Sequence, residues 1–200
     1  MIRKVKIEFL KDYQNNILSG PIIISPEIFI DSRGYFFESW NEKKFNAALK
    51  SKNSFVQDNQ SFSKKGTLRG LHYQLEPLSQ GKLIRVIRGE IYDVIVDLRH
   101  KSNSFSKWAG INLSSTNKNQ LWVPEGFAHG FLTLANETIV EYKVTNYWDS
   151  ELERTILWND RHLNIKWPEL KGFNNKFFIS KKDLNGNRFK DLLEKGELFK

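Results

Sequence analysis

Short runs of β-branched, aliphatic and aromatic residues recur along the chain, separated by clusters of Gly, Asn, Ser and Asp. That punctuation predicts strands over Ile22 to Ile24, Tyr35 to Trp40, Lys82 to Ile87, Ile91 to Leu98, Trp108 to Leu113, Asn119 to Val123, Gly130 to Leu134 and Thr138 to Val144. Arg88-Gly89-Glu90 reads as a tight hairpin turn, and polar and apolar residues partly alternate in Tyr92-Asp93-Val94-Ile95-Val96-Asp97. Helical signals are few: one or two turns from Asn41, as cap, to Leu49, and a terminal helix over Arg188 to Lys195 with Leu192 and Leu193. The polar stretch 171–176 reads as an exposed loop, and the residues before Ile22 form an extension whose purpose the pattern does not reveal. Strands at regular short spacing predict an all-β fold, a jelly-roll β-sandwich or barrel with short helices mainly at the C-terminus. The expected organisation is a single domain over 1–200 with its core at about 20–185.

Composition narrows the chemistry. With 200 residues, 40% hydrophobic and 14% aromatic, a large core can be buried. No apolar run approaches the roughly 20 residues that cross a bilayer, and the first residues lack a signal-peptide pattern, so the expectation is a soluble, cytoplasmic protein with no membrane partner. The absence of cysteine excludes disulfides, thiolate metal sites and a cysteine nucleophile. Catalysis must rest on His, Tyr, Lys, Asp and Glu. The net charge of +8 is scattered over Lys43-Lys44, Lys64-Lys65, Lys181-Lys182 and the C-terminal lysines, and no nucleic-acid-binding motif accompanies it. The charge by itself is compatible with nucleic acid, an anionic membrane surface or an anionic small substrate in a basic site, and the missing motif disfavours nucleic acid.

Gly70-Leu71-His72-Tyr73 and Pro124-Glu125-Gly126-Phe127-Ala128-His129 each set a histidine beside a glycine turn in strand-rich sequence. The first resembles the metal-binding signature of cupin barrels, but Gln74 fills the place of the second histidine. One remaining histidine suits proton transfer better than metal binding, and no metal or other cofactor is expected. His100 and His162 fall in polar turns and read as surface residues.

Five segments in order extend the likeness: Asp31-Ser32-Arg33-Gly34-Tyr35-Phe36-Phe37-Glu38, Phe55 to Ser61, Leu68 to Gln74, Gln80 to Leu83, and Gln120 to Phe131. Over roughly residues 20 to 185 the chain resembles the dTDP-4-dehydrorhamnose 3,5-epimerases, metal-free cupin barrels that remove protons at C3 and C5 beside the C4 ketone of a nucleotide sugar. The resemblance implies His72 as base, Asp183 as its partner, Lys82 beside the carbonyl oxygen and Tyr142 as the acid on the opposite face. It further implies Arg33 and Arg69 at the diphosphate or sugar, with Gln57, Asn59 and Glu38 along the nucleotide channel and Lys182 adding charge. His129 is expected to shape the pocket or hydrogen-bond substrate oxygens. Where the family usually carries adjacent tyrosines, this chain has Tyr147-Trp148, so Trp148 offers a larger stacking surface. A dTDP-sugar substrate and a homodimer, with the N-terminal third crossing between subunits, complete the implied picture. Two other readings stay open, a nucleotide-sugar 3,4-ketoisomerase and a non-catalytic nucleotide- or carbohydrate-binding barrel.

Overall fold

The computed structural model describes residues 6–173 and 176–200. In chain order the elements are β1 (Lys6–Lys11), β2 (Ile17–Ser25), β3 (Phe29–Asp31), β4 (Gly34–Phe36), α1 (Glu42–Leu49), β5 (Gln57–Ser63), β6 (Leu68–Gln74) and β7 (Lys82–Arg88). They continue with β8 (Glu90–Asp97), β9 (Trp108–Ser114), β10 (Gln120–Val123), β11 (Phe127–Thr133), β12 (Thr138–Val144), β13 (Glu153–Thr155), α2 (Lys181–Leu184) and α3 (Phe189–Glu194). Strands stack as a six-stranded sheet, β1-β2-β10-β7-β12-β5, against a five-stranded sheet, β13-β6-β11-β8-β9. This is the expected jelly-roll sandwich, with every pairing in the two sheets antiparallel.

Strand alternation sorts side chains into three apolar layers. Between the sheets lie Leu18, Ile84, Ile91, Ile95, Leu113, Leu121 and Val140, all wholly buried. Each such side chain contributes about 1.5–3 kcal/mol by leaving water. The outer face of the five-stranded sheet packs Leu71, Val94 and Val96 against Phe189 and Leu192 of α3. The outer face of the other sheet packs Ile22, Leu83 and Trp122 against Phe45 of α1. The space between the sheets is apolar only in part: β5, β6, β7, β11 and β12 also carry Asn59, His72, Lys82, His129 and Tyr142 toward a shared cavity.

Several boundaries differ from the sequence expectation. Tyr35 to Trp40 is not one strand: after Phe36 the chain leaves the β3–β4 hairpin, and Trp40 packs edge-on to Phe55 at 4.8 Å. The β2 strand is longer than expected, and β11 starts at Phe127, which places His129 within the sheet instead of before it. The extension before Ile22 forms β1, a hairpin partner for β2 at the sheet edge; Asp12 shapes its turn by accepting from the N–H groups of Gln14 and Asn16. Asn41 caps α1 by accepting from Lys44 N, as expected. Of the predicted loop 171–176, Asn174 and Asn175 lie outside the described residues, and 171–173 form a turn.

Candidate active site

Close approach of β6 and β11 sets the site's frame. Gly70 adopts φ +114°, and a Cβ there would lie 2.6 Å from Gly130 Cα and 2.7 Å from the His129 carbonyl oxygen. Only glycine fits such a contact. The register then places His72 directly opposite His129 on the neighbouring strand.

Asp183 reaches His72 from far along the chain because the preceding segment is stitched to β6. Leu68 N–H donates to the Phe178 carbonyl at 3.0 Å, and Phe178 N–H donates to that of Gly66 at 2.8 Å. Ser180 then caps α2, its hydroxyl accepting from Asp183 N–H. The Asp183 carboxylate, 5% exposed, meets His72 Nε2 at 2.6 Å through Oδ1 and accepts from Gly70 N–H at 3.3 Å through Oδ2. Burial pushes this carboxyl up, but the His72 hydrogen bond and charge, with the Gly70 and Ser180 bonds, outweigh it and hold it below the ordinary range. An ionised partner on Nε2 leaves Nδ1 as the basic nitrogen of His72.

The cavity has a volume of about 710 Å³ and is lined by His72, His129, Lys82, Tyr142, Arg69, Gln57, Asn59, Trp148, Lys182 and Asp183 together. Ten of the twelve expected residues therefore converge. Burial lowers Lys82 to about 8, against the opposing negative charges of Glu153 and Asp93; its ammonium donates to the His72 carbonyl at 3.4 Å. Burial raises the Tyr142 phenol, Glu153 adding to the rise and Arg69 opposing it, so the group stays protonated and able to donate. At the mouth, Trp148 is 55% exposed, and its backbone N–H donates to Gln57 Oε1, while Gln57 Nε2 donates to Asn59 Oδ1.

Arg33 and Glu38 do not reach this cavity within one chain. Arg33 is 88% exposed and paired with Asp31, and Glu38 pairs with Lys44. Gln74, at the lost ligand position, braces the loop that carries Trp148: Nε2 donates to the Tyr147 carbonyl and Oε1 accepts from Asp149 N–H, each at 2.9 Å. His100 and His162 are exposed and stack on Phe105 and Phe189. Among the described residues, no three His, Asp or Glu gather as a metal-ligating group.

Two carboxylates at the site, Glu153 on the cavity wall and Asp93 behind it, are not among the residues expected from the sequence. Glu153 lines the wall, where burial raises it but the Lys182 hydrogen bond and the His72 charge prevail and hold it low. Asp93 lies beneath His129, accepting from Nε2 at 2.9 Å. Its sequence signal is slight, since Asp93 is one of three acids in β8, with Glu90 and Asp97. A second hollow of about 680 Å³ lies between the N-terminal turn and the 99–107 loop, but its Arg99 is committed to Asp97.

A jelly-roll barrel of the cupin type whose polar cavity gathers an oriented imidazole, a buried ammonium and a protonated phenol has the groups that proton transfer requires. Comparison with known proteins agrees. The family model described as dTDP-4-dehydrorhamnose 3,5-epimerase matches residues 15–191. The dTDP-4-dehydrorhamnose 3,5-epimerase of Shigella flexneri is 52% identical over 170 residues, covering 85% of this chain and 91% of that protein. The crystal structure of dTDP-6-deoxy-D-glucose-3,5-epimerase from Legionella pneumophila, in complex with dTDP-4-keto-L-rhamnose, superposes with TM-score 0.86 at 38% identity, covering 98% of each chain. A 3'-monoepimerase from Streptomyces bikiniensis, in complex with dTDP-quinovose, superposes with TM-score 0.84 at 27% identity and 90% coverage of each. The chain belongs to the dTDP-4-dehydrorhamnose 3,5-epimerase family, and it is an isomerase.

Proposed function

We propose that the chain converts dTDP-4-dehydro-6-deoxy-glucose to dTDP-4-dehydrorhamnose by inverting C3 and C5 in turn. The observation that carries this is the 2.6 Å contact between His72 and Asp183 on the wall of a cavity that also holds Lys82 and Tyr142. His72 Nδ1 takes the proton from the carbon next to the ketone, and the electrons of the broken C–H bond pass to the C4 oxygen as an enolate. The Lys82 ammonium, shielded from water, stabilises that oxygen more strongly than it would at the surface. Tyr142 returns a proton on the opposite ring face and is reprotonated from solvent, while the imidazolium loses its proton before the second carbon reacts.

Arg69 and Lys182 serve the diphosphate, and Trp148, Gln57 and Asn59 the nucleoside. The exposed β3–β4 hairpin supports a homodimer in which Arg33 and Glu38 complete the partner subunit's cavity. A nucleotide-sugar substrate and a cysteine-free chain are in keeping with a cytoplasmic enzyme.

The test is incubation with dTDP-4-dehydro-6-deoxy-glucose in heavy water, followed by NMR of the product. Deuterium at both C3 and C5 is expected. Uptake at C3 alone would reduce the activity to a mono-epimerase, and a 3-keto product without C5 exchange would make the enzyme a ketoisomerase.

A further inference from the structure

Asp93 is a charge placed where stability alone would put a leucine. It lies on β8 between Ile91 and Ile95, both in the layer between the sheets, and its side chain is 0% exposed. One oxygen accepts from His129 Nε2, and the other is one of two buried side-chain polar atoms that, among the described residues, have no hydrogen-bond partner. A buried carboxylate with half its capacity unused is expensive, and a residue retained under that cost is a functional candidate.

The groups that feel this carboxylate both line the cavity. Burial raises Asp93, and the positive charges of His129 and Lys82 oppose the rise; in return Asp93 opposes the loss of the proton from Lys82. The remaining titratable groups lining the cavity with Lys82 are Arg69 and His72 on β6, Tyr142 on β12, Glu153 on β13, and Lys182 and Asp183 on α2. Glu153 is committed to Lys182 through an ion pair. Asp93 is paired with His129 and, among the described residues, with no lysine or arginine at ion-pair distance.

We infer that Asp93 is a positioning residue of the active site, which fixes His129 with Nε2 protonated and Nδ1 available to a substrate hydroxyl, and adds a buried negative charge to the surroundings of the Lys82 ammonium. The two histidines then have matching arrangements on adjacent strands, each with a buried aspartate on Nε2. The inference rests on the epimerase reading of the cavity.

Asp93→Asn tests it, since the amide oxygen can still accept from Nε2–H while the charge is gone. The expected result is a fall in kcat of about ten- to a hundredfold with KM within about threefold, and a basic limb of the pH–rate profile displaced downward by about one pH unit. Parent kcat together with the parent pH profile would overturn the inference. Two readouts need no turnover and so separate its failure from failure of the epimerase reading. Nitrogen-15 NMR of the parent should find His129 protonated at Nε2 and not at Nδ1, and a carbon-13 label on Lys82 should titrate at lower pH in D93N than in the parent. The reversed tautomer, or an unmoved lysine titration, sinks the proposal. Where Asp93→Asn fails to fold, the tautomer in the parent decides alone.

Discussion

Replacing Lys82 by methionine should make the protein more stable and nearly inactive. Lys82 is 7% exposed, and burial brings the proton affinity of its ammonium from 10.5 down to about 8. At about 1.4 kcal/mol for each tenfold change in proton affinity, that gap is worth roughly 3 kcal/mol. The sign follows from linkage: the folded state holds this proton less tightly than the unfolded chain, so the full penalty applies below about pH 8 and fades between 8 and 10.5. Methionine removes the penalty and keeps the volume, but leaves Asp93 and Glu153 with less positive charge nearby. A net gain of about 2 kcal/mol, or roughly 4–8 °C in Tm for a chain of this length, is expected at pH 7. Urea and thermal unfolding at pH 7 and pH 9.5 supply the check, with the advantage over the parent shrinking at the higher pH. Activity should fall by about a hundredfold or more, as when one oxyanion donor is lost. A variant no more stable than the parent at pH 7, or an advantage independent of pH, would refute the claim that this cation is held at a cost for function.

Gly70→Ala forces a Cβ into backbone at 2.6 Å while keeping φ at +114°, so it should cost about 2–4 kcal/mol and separate His72 from His129, read as a lower urea midpoint with loss of turnover. Tyr142→Phe should lower kcat about a hundredfold with dTDP affinity unchanged by calorimetry; because abstraction still occurs, deuterium should continue to enter the substrate without net inversion. Asp183→Asn should cost about a hundredfold or more in kcat, and the acid limb of the parent's pH profile should not come from Asp183, whose carboxyl is held low and stays ionised there.

What the chain disclosed in advance follows from where its strands point. β7, β8, β9, β10 and β12 put apolar side chains between the sheets and were legible from their pattern. β5, Gln57–Ser63, carries Gln57, Asn59 and Ser61 into the cavity, so it lacks the apolar alternation that marks a strand. β13 is three residues long and offers no period at all. His72, Lys82, Tyr142 and Asp183 were assigned by resemblance, and no pattern reading would have joined Asp183 to His72 across 111 residues. Asp93 and Glu153 carry no such signal, because an acid in a strand reads as an outward-facing residue until the fold shows which face is wet. Arg33, at the turn of the exposed β3–β4 hairpin, and Glu38, just beyond it, remain apart from the cavity in one chain and are paired with Asp31 and Lys44.

The most direct test of the central claim is proton exchange by His72→Asn. Asparagine keeps a donor for Asp183 but provides no base, so the variant should bind dTDP as the parent does and show no deuterium incorporation at C3 or C5 in heavy water. Exchange at the parent's rate at either carbon would show that another group removes the proton, and the role assigned to the His72–Asp183 pair would be wrong.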